Sequence, residues 1–320
     1  MKSIFVCHTV YHVYIALMKN YNLNGSSIIL VDTIPGYKKL ANRIKKSKVF
    51  KDVFVVDRDL YFGRSITTFL GNYINNRISL KKVKRNLKFL NEYENIYIFN
   101  DYSEFGDYLN LINKKYHLLE DGLDVFKQFD VYEDIGHGYK IKKLLYRLFK
   151  IPYSVGMNEC CIDIEVNDDK DLKTLLLHPV VVCNRTKLLK SISYEYINNI
   201  FQIYGVKNIE MRGKKILLLT QVLKEILVVK SELEQIELYR TALKEYAADY
   251  NIYIKPHPRD KIDYSVLVQE YGAICLEREI PMEVYCSLPH MSFDIVLTYS
   301  STAANINNLG SMVIRLDERL

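Results

Sequence analysis

The stretch "SIFVCHTVYHVYIALMKNYNLNGSSIILV", residues 3–31, decides the fold. Its two ends, Ser3–Cys7 and Ser27–Val31, are short apolar runs typical of buried strands. The residues between them are expected to form a helix, and a strand, a helix and a strand in this order predict a parallel sheet. His8 and His12 interrupt the first apolar segment and no small-residue cleavage site follows, so we do not expect a secretory leader.

The same alternation of apolar runs and helical periodicity continues along the chain. Further strands are predicted at Val53–Asp57, Ile96–Asn100, Tyr116–Glu120, Val180–Cys183, Lys215–Thr220, Ile252–Lys255, Ala273–Leu276, Asp294–Tyr299 and Met312–Leu316. A helix is predicted over Glu232–Tyr250, with an apolar face made of Leu233, Ile236, Leu243 and Ala247. Two such sets of strands predict an α/β protein with two Rossmann-like domains. A proline and "NDDKD" interrupt the periodicity within 151–171, which puts the predicted domains at residues 1–155 and 156–320.

The composition excludes several classes of protein. The 320 residues are 49% hydrophobic and 26% charged, as in soluble globular proteins, and no apolar stretch reaches the ~20 residues that span a bilayer. The six cysteines show no CxxC spacing, which predicts reduced thiols in a cytoplasmic protein. The formal charge of +6 indicates an anionic partner. Because the sequence contains no nucleic-acid-binding motif, we do not expect that partner to be a nucleic acid.

In doubly wound sheets ligands bind beyond the carboxyl ends of the strands, so the residues after each strand are the candidate site. In "YHLLEDGLD", residues 116–124, Glu120 and Asp121 follow a predicted strand, and Gly122 would permit a tight turn. A carboxylate in that position could take a proton from a hydroxyl. The alternative is an ordinary turn, since acid-acid-glycine is a common turn composition.

The second strand end is "NIYIKPHPRD", residues 251–260. Two prolines restrict the backbone on either side of His257, and Lys255 and Arg259 add positive charge. An imidazole held so rigidly can stabilise negative charge on a leaving phosphate. The alternative is a stiff strand end that carries a surface histidine.

The third strand end is "FDIVLTYSSTAANINNLG", residues 293–310. Ser300, Ser301 and Thr302 follow a predicted buried strand and open a helix of small residues. Hydroxyls and free N–H groups at a helix N-terminus bind anions, although they also serve as simple N-caps.

Together, acid-acid-Gly, Lys-Pro-His-Pro and Ser-Ser in this order resemble the motifs of bacterial sialyltransferases. The segments "IFVCHTVYHVYIAL", "LLLTQVL" and "EQIELY" are most similar to glycosyltransferase family 52, which includes lipooligosaccharide and capsule sialyltransferases; the polysialyltransferases share the three motifs. The sequence departs from the family pattern after Thr220 and Gln221, where Val222 and "KEIL" replace a frequent proline and acidic residues. Glu225 is the acidic residue left there and is a rival candidate for the base.

The resemblance implies a GT-B fold, in which two Rossmann-like domains face a central cleft. The N-terminal domain would lie on the acceptor side and the C-terminal domain would bind the CMP-sugar. The implied reaction is inverting, metal-independent transfer of sialic acid from CMP-sialic acid to a hydroxyl, expected to belong to galactose, on a bacterial surface glycan. No cofactor is implied, and a homodimer is compatible with the resemblance.

The resemblance also implies a role for each motif residue. Asp121 would be the base with Glu120 beside it, and His257 would assist departure of the CMP phosphate. Glu283, in "EREIPMEVY", would hold the ribose hydroxyls. The other residues expected to bind substrate are Lys255, Ser300, Ser301 and Thr302 on the donor side, and His8, Thr9 and Gly122 on the acceptor side.

Three alternatives remain open. The first is a GT-B transferase that uses another nucleotide sugar. The second is a metal-dependent transferase with a DxD motif, for which Asp57–Asp59 and Asp169–Asp171 are available. The third is a non-catalytic protein of the membrane surface, because Tyr139–Lys150, "YKIKKLLYRLFK", reads as a basic amphipathic helix. A transferase that uses a lipid-linked acceptor could also contact the inner face of the plasma membrane through this segment.

Overall fold

The computed structural model describes residues 1–23, 25–58, 86–101, 103–128, 155–173, 176–207, 209, 211, 213–288, 291–299, 306 and 309–317. The chain divides into two compact units, residues 1–203 and 204–320. Each unit contains a parallel β-sheet, so the predicted α/β class is confirmed.

The first unit contains a seven-stranded sheet in the order β3-β2-β1-β4-β5-β6-β7, with every pair of neighbours parallel. Its strands are β1 (Ser3–Cys7), β2 (Ser27–Val31), β3 (Val53–Val56), β4 (Asn95–Ile98), β5 (Tyr116–Leu119), β6 (Cys161–Val166) and β7 (Val180–Val182). The helices are α1 (Val10–Leu23), α2 (Tyr37–Ser47), α3 (Glu104–Leu111), α4 (Val125–Gln128), α5 (Arg185–Lys190) and α6 (Tyr194–Tyr204), with a 3-10 helix at Lys88–Glu92. The order of the strands reverses between β1 and β4, and ligands of such sheets bind at this position.

The quoted stretch forms β1, α1 and β2 as predicted. Every residue of β1 and β2 is buried, as expected for central parallel strands with both faces covered. Gly106 is required for packing in α3, because a Cβ there would lie 1.9 Å from the carbonyl oxygen of Asp101. This close approach holds α3 against the chain that leaves β4, beside the reversal of strand order.

The predicted domain boundary at residue 155 is wrong. Strand β6 lies beyond that boundary but pairs with β5, with Ile164 opposite Leu118. Cys161, Ile164 and Val166 are buried in the core of the first unit. Periodicity did not reveal β6 because its charged residues Asp163 and Glu165 break the apolar run.

The second unit contains a five-stranded parallel sheet in the order β10-β9-β8-β11-β12. Its strands are β8 (Lys215–Leu219), β9 (Asn251–Lys255), β10 (Ile274–Cys275), β11 (Phe293–Thr298) and β12 (Gly310–Arg315), and its helices are α7 (Glu232–Lys244), α8 (Ser265–Tyr271) and α9 (Met282–Tyr285). The strand order reverses between β8 and β11, so the ends of β8, β9 and β11 meet at the ligand-binding edge.

Helix α7 differs from the prediction. It ends at Lys244, and Leu233, which was expected on the buried face, is 75% exposed. Leu243 is buried as predicted, and the buried face also carries Gln235 and Tyr239 at the four-residue spacing of one helix side. The polar residue Gln235 belongs to the core because its side chain has buried hydrogen-bond partners.

No helix within the described residues has the length and apolar character needed to cross a membrane. The predicted basic helix Tyr139–Lys150 lies outside the described residues.

Candidate functional site

The two candidate carboxylates at the carboxyl end of β5 differ in their exposure to solvent. Glu120 is 1% exposed, and its Oε2 accepts a hydrogen bond of 2.9 Å from the backbone N–H of Asn167. The side chain of Asp121 is 43% exposed. Side chains of consecutive residues in extended chain point to opposite sides, which explains the difference. Asp121 is therefore the carboxylate that a substrate can reach, and Glu120 has a structural role.

Asp121 has a partner that the sequence prediction did not assign. The carboxylate oxygen Oδ1 forms a short hydrogen bond with Nε2 of His12, in the first turn of α1. His12 is 1% exposed, and its ring stacks on Phe99 with ring centroids 4.0 Å apart. The loops after β1, β4 and β5 thus meet at the predicted edge of the sheet.

The backbone determines which nitrogen of His12 carries the proton. The N–H of His8 donates to Nδ1 of His12 at 3.1 Å, so Nδ1 is an acceptor. The proton of the neutral ring must therefore be on Nε2, which donates it to Asp121. Thr9 supports this arrangement, since its hydroxyl caps α1 by accepting the N–H of His12 at 3.1 Å. His12 thus orients the carboxylate of Asp121.

The local pKa values agree with this assignment. Burial alone would raise the pKa of Asp121, but the interaction with His12 outweighs it and holds the pKa below its usual range. Burial, together with the proximity of His12, lowers the pKa of His8 to about 3. At neutral pH Asp121 is therefore ionised and His8 is neutral. The buried Nε2 of His8 has no hydrogen-bond partner among the described residues.

Gly122 begins the tight turn that the sequence suggested, since its carbonyl accepts the N–H of Val125 at 3.3 Å. The left-handed conformation in this loop belongs to Asp124, with φ of 56°. A Cβ at Gly122 would meet no atom within 4 Å. The glycine leaves open space beside Asp121, and its contact with a substrate stays a prediction, as do those of His8 and Thr9.

Replacing Glu120 by Gln is expected to change how stability depends on pH. Burial raises the pKa of Glu120 to about 7, against the hydrogen bond from Asn167. The unfolded chain releases this proton from about pH 4.3, whereas the folded protein keeps it up to about pH 7. The free energy of unfolding therefore falls as the pH rises between these values, by at most about 1.4 kcal/mol per pH unit. Urea unfolding of both proteins at about pH 5 and about pH 7.5 should show this loss in the wild type and a smaller one in Glu120→Gln. Equal losses in both proteins would contradict this assignment.

The second unit holds His257 in a comparable way. The N–H of Arg259 donates to Nδ1 of His257 at 3.2 Å, which leaves the proton on Nε2. Burial, with the positive charges of Arg259 and Lys255, lowers the pKa of His257 to about 4. The ring is partly exposed and neutral at neutral pH, so it can donate one hydrogen bond from Nε2.

A buried hydrogen-bond network anchors the loop of His257. The hydroxyl of Thr220, at the end of β8, accepts the backbone N–H of His257 at 3.1 Å and donates to Asp260 at 2.8 Å. Asp260 also accepts the hydroxyl of Tyr264 at 2.6 Å, and Gln235 donates to that hydroxyl at 2.8 Å. Buried groups that are fully paired in this way keep one conformation. Thr220 and Gln235 belong to "LLLTQVL" and "EQIELY", so these motifs position His257.

Lys255 faces the protein interior. It is 5% exposed, and its ammonium donates to the carbonyls of Pro256 at 2.7 Å and Arg278 at 3.1 Å. Burial lowers the pKa of Lys255 to about 8, despite the attraction of Glu283. Burial raises the pKa of Glu283, which lies partly buried in α9. The structure thus gives Lys255 a positioning role, and contacts of Lys255 or Glu283 with a substrate stay predictions.

Ser300, Ser301, Thr302 and Asp59 lie outside the described residues. Glu225, the rival base, is exposed in a turn after β8. Among the described residues, no group of three or more His, Cys, Asp and Glu side chains could hold a metal ion.

Comparison with known proteins identifies the family. The profile of glycosyltransferase family 52 matches residues 26–316, which is most of the chain. The chain belongs to glycosyltransferase family 52. The family predicted from the motifs is thereby confirmed. An uncharacterized protein of Haemophilus influenzae is 30% identical to this family 52 chain over 190 residues. The similarity covers 58% of the chain and 57% of that relative, so the chain matches little more than half the relative's length.

Two solved structures resemble the family 52 chain in fold. An α/β-galactoside α-2,3-sialyltransferase from Photobacterium phosphoreum has a TM-score of 0.56 and 11% identity, over 97% of this chain and 88% of that one. The GT-B domain of a sialyltransferase from Photobacterium damselae has a TM-score of 0.54 and 11% identity, over 94% of this chain and 86% of that one. The predicted GT-B fold is thereby confirmed.

Two residues of the candidate site in this family 52 chain were not predicted from its sequence. His12 was not among the predicted site residues, although its spacing of four residues from His8 at the start of α1 was an available signal. Asp260 was passed over in "KPHPRD", where an acid after two prolines looks like a turn residue. Both residues are buried and act through a neighbour, which periodicity does not reveal.

Proposed function

We propose that the protein is an inverting, metal-independent sialyltransferase that uses CMP-sialic acid. One observation carries the proposal: two imidazoles, His12 and His257, are each fixed by a backbone N–H so that Nε2 carries the proton. One of them orients an exposed carboxylate, and the other can donate a hydrogen bond to an anion. Transfer of sialic acid to a hydroxyl needs these two functions, a base for the acceptor and a stabiliser for the leaving phosphate.

In the proposed reaction, the acceptor oxygen attacks the anomeric carbon of sialic acid from the face opposite the phosphate. The bond from that carbon to the phosphate oxygen breaks, and the configuration inverts. Asp121 takes the proton of the acceptor hydroxyl, while CMP departs with the bonding electrons. Nε2–H of His257 donates to the phosphate as its negative charge grows, so the hydrogen bond is strongest in the transition state.

His12 would keep Asp121 in the reactive orientation. Because the Nε2–H of His12 donates to one carboxylate oxygen, the other oxygen remains available to the acceptor hydroxyl. The low pKa of Asp121 keeps the carboxylate ionised in the free enzyme at neutral pH. We propose a galactose-type hydroxyl of a bacterial surface glycan as the acceptor. The proposed location is the cytoplasm, where a lipid-linked acceptor would be met at the inner face of the membrane.

The donor class is tested by thermal unfolding with nucleotides. A ligand that binds only the native state stabilises it by about 2.7 kcal/mol at a hundredfold excess over its Kd. We therefore expect CMP to raise the Tm, with UDP, GDP and NAD giving little change. His257→Ala should reduce the shift with CMP, which would link the effect to the candidate site.

Three results would redirect the proposal. Stabilisation by UDP and not by CMP would indicate another nucleotide-sugar transferase with the same fold. Transfer activity that is lost in EDTA and restored by Mn²⁺ would restore the DxD alternative at Asp57–Asp59. A protein that responds to none of the nucleotides would be better explained as a non-catalytic surface protein.

A further inference from the structure

Helix α2 and the turn after it form a strongly basic surface. Between residues 37 and 52 the chain contains seven basic residues and a single acid, Asp52. Six of the basic residues are exposed lysines, which we call the α2 lysines: Lys38, Lys39, Lys45, Lys46, Lys48 and Lys51. The seventh, Arg43, is partly buried and donates to the carbonyl of Ile203 at 3.4 Å.

The charge of the α2 lysines is not neutralised within the part of the chain that the structure describes. None of them forms an ion pair there, whereas other lysines do: Lys19 pairs with Glu165, Lys127 with Asp168 and Lys224 with Glu232. Six unpaired ammonium groups on one helix and its turn repel one another and raise the local positive potential. Such a surface attracts a partner with negative charges that are spread over a comparable area.

The basic surface includes an open groove of about 580 Å³. It is lined by three of these lysines, Lys45, Lys48 and Lys51, by one acid, Asp52, and by the apolar residues Phe50, Val53 and Phe54. Phe50 is 4% exposed and therefore belongs to the core. Three lysines against one carboxylate give the groove a net positive lining, which matches phosphate groups.

The opposite face of α2 limits how a membrane could be bound. Leu40, Ala41 and Ile44 are buried against the sheet, so α2 cannot turn its apolar side to lipid. Contact through this helix would have to be electrostatic, at the level of the headgroups. Lysines suit diffuse phosphate contacts, whereas planar bidentate recognition favours arginine. The helix is ~16 Å long, which allows several headgroups to be contacted at once.

We propose that the α2 lysines form a docking surface for an anionic phospholipid bilayer. This surface is distinct from the amphipathic segment that the sequence suggested, and its binding does not depend on sialyl transfer. Polybasic surfaces bind anionic leaflets, and the attraction falls off within a Debye length of about 10 Å at 0.1 M salt.

The test is co-sedimentation of the full chain with vesicles, without any sugar donor. Vesicles of phosphatidylcholine with about one quarter phosphatidylglycerol should bind the protein, pure phosphatidylcholine should not, and ~1 M salt should release it. The triple variant Lys45→Gln, Lys48→Asn, Lys51→Gln should partition about a hundredfold more weakly, since each lysine near an anionic surface contributes roughly fivefold. Asn is chosen for residue 48 because its φ of 55° is left-handed, which Asn tolerates.

The matched control removes the same charge elsewhere, with Lys190→Gln, Lys230→Gln and Lys244→Gln, all at exposed positions. Unchanged circular dichroism and Tm would establish that both triple variants are folded. The proposal is overturned if the wild type shows no preference for phosphatidylglycerol, or if both triple variants lose affinity equally. It is also overturned if the α2 lysines bind soluble dextran sulfate while vesicles are ignored, since that outcome would assign the surface to an anionic glycan.

Discussion

Replacing His257 by Ala should lower kcat for transfer from CMP-sialic acid by roughly 10²–10³-fold, by analogy with the loss of one oxyanion donor. The imidazole is neutral in the free protein, because burial lowers the pKa of His257 to about 4. Its Nε2–H would donate to the phosphate while the bond to sialic acid breaks. Steady-state kinetics gives the effect on the rate, and calorimetry with CMP should show weaker binding.

Two further variants separate the hydrogen bond from the packing of the loop. His257→Gln keeps a donor amide at a similar distance and should recover part of the lost rate. Thr220→Val keeps the imidazole but removes the hydroxyl that accepts the N–H of His257, so it should lower kcat by less than His257→Ala does. If His257→Ala changed neither CMP affinity nor rate, "KPHP" would be only a stiff strand end.

Replacing Asp121 by Asn should lower kcat by about 10²–10⁴-fold, the usual contribution of a general base. Asn has nearly the same shape, and its carbonyl can still accept the hydrogen bond from His12, so the fold should be kept. The base acts on the acceptor, and CMP affinity should therefore stay close to that of the wild type. This difference in CMP binding distinguishes Asp121→Asn from His257→Ala.

Two other carboxylates provide the controls for Asp121. Glu120→Gln changes a residue that is 1% exposed and should largely retain transfer. Glu225→Gln changes the rival base on the exposed turn after β8 and should also retain it. Near-normal transfer by Asp121→Asn, together with loss of transfer in Glu225→Gln, would move the base to Glu225 and leave the sialyltransferase proposal intact.

The strands that the sequence predicted correctly are those that a local pattern of apolar residues identifies. β1 and β2 are apolar throughout because both faces of a central parallel strand are covered, and such runs are easily recognised. β6 has Asp163 and Glu165 within it, and these are paired with His117, Lys19 and Arg185 from other elements. Since the partners lie far away in the sequence, the segment looked polar and the domain boundary was placed too early.

In the candidate site, too, some features follow from adjacent residues and others only from the folded chain. The sequence by itself determined that His257 is held between two prolines and that Glu120 and Asp121 follow a strand, because these are properties of adjacent residues. Only the tertiary structure decided that Asp121 is the exposed carboxylate and that His12 is its partner. Those two residues are 109 positions apart, and the register of β1, β4 and β5 brings them together.

The protonation of both imidazoles was likewise decided by the tertiary structure. A histidine in a sequence carries no information about which ring nitrogen holds the proton. Backbone N–H groups of His8 and Arg259 determine it here, by donating to Nδ1 of His12 and of His257. The sequence thus determined which residue types stand at the strand ends, and folding determined their partners, exposure and charge, because those depend on groups that meet only in the folded chain.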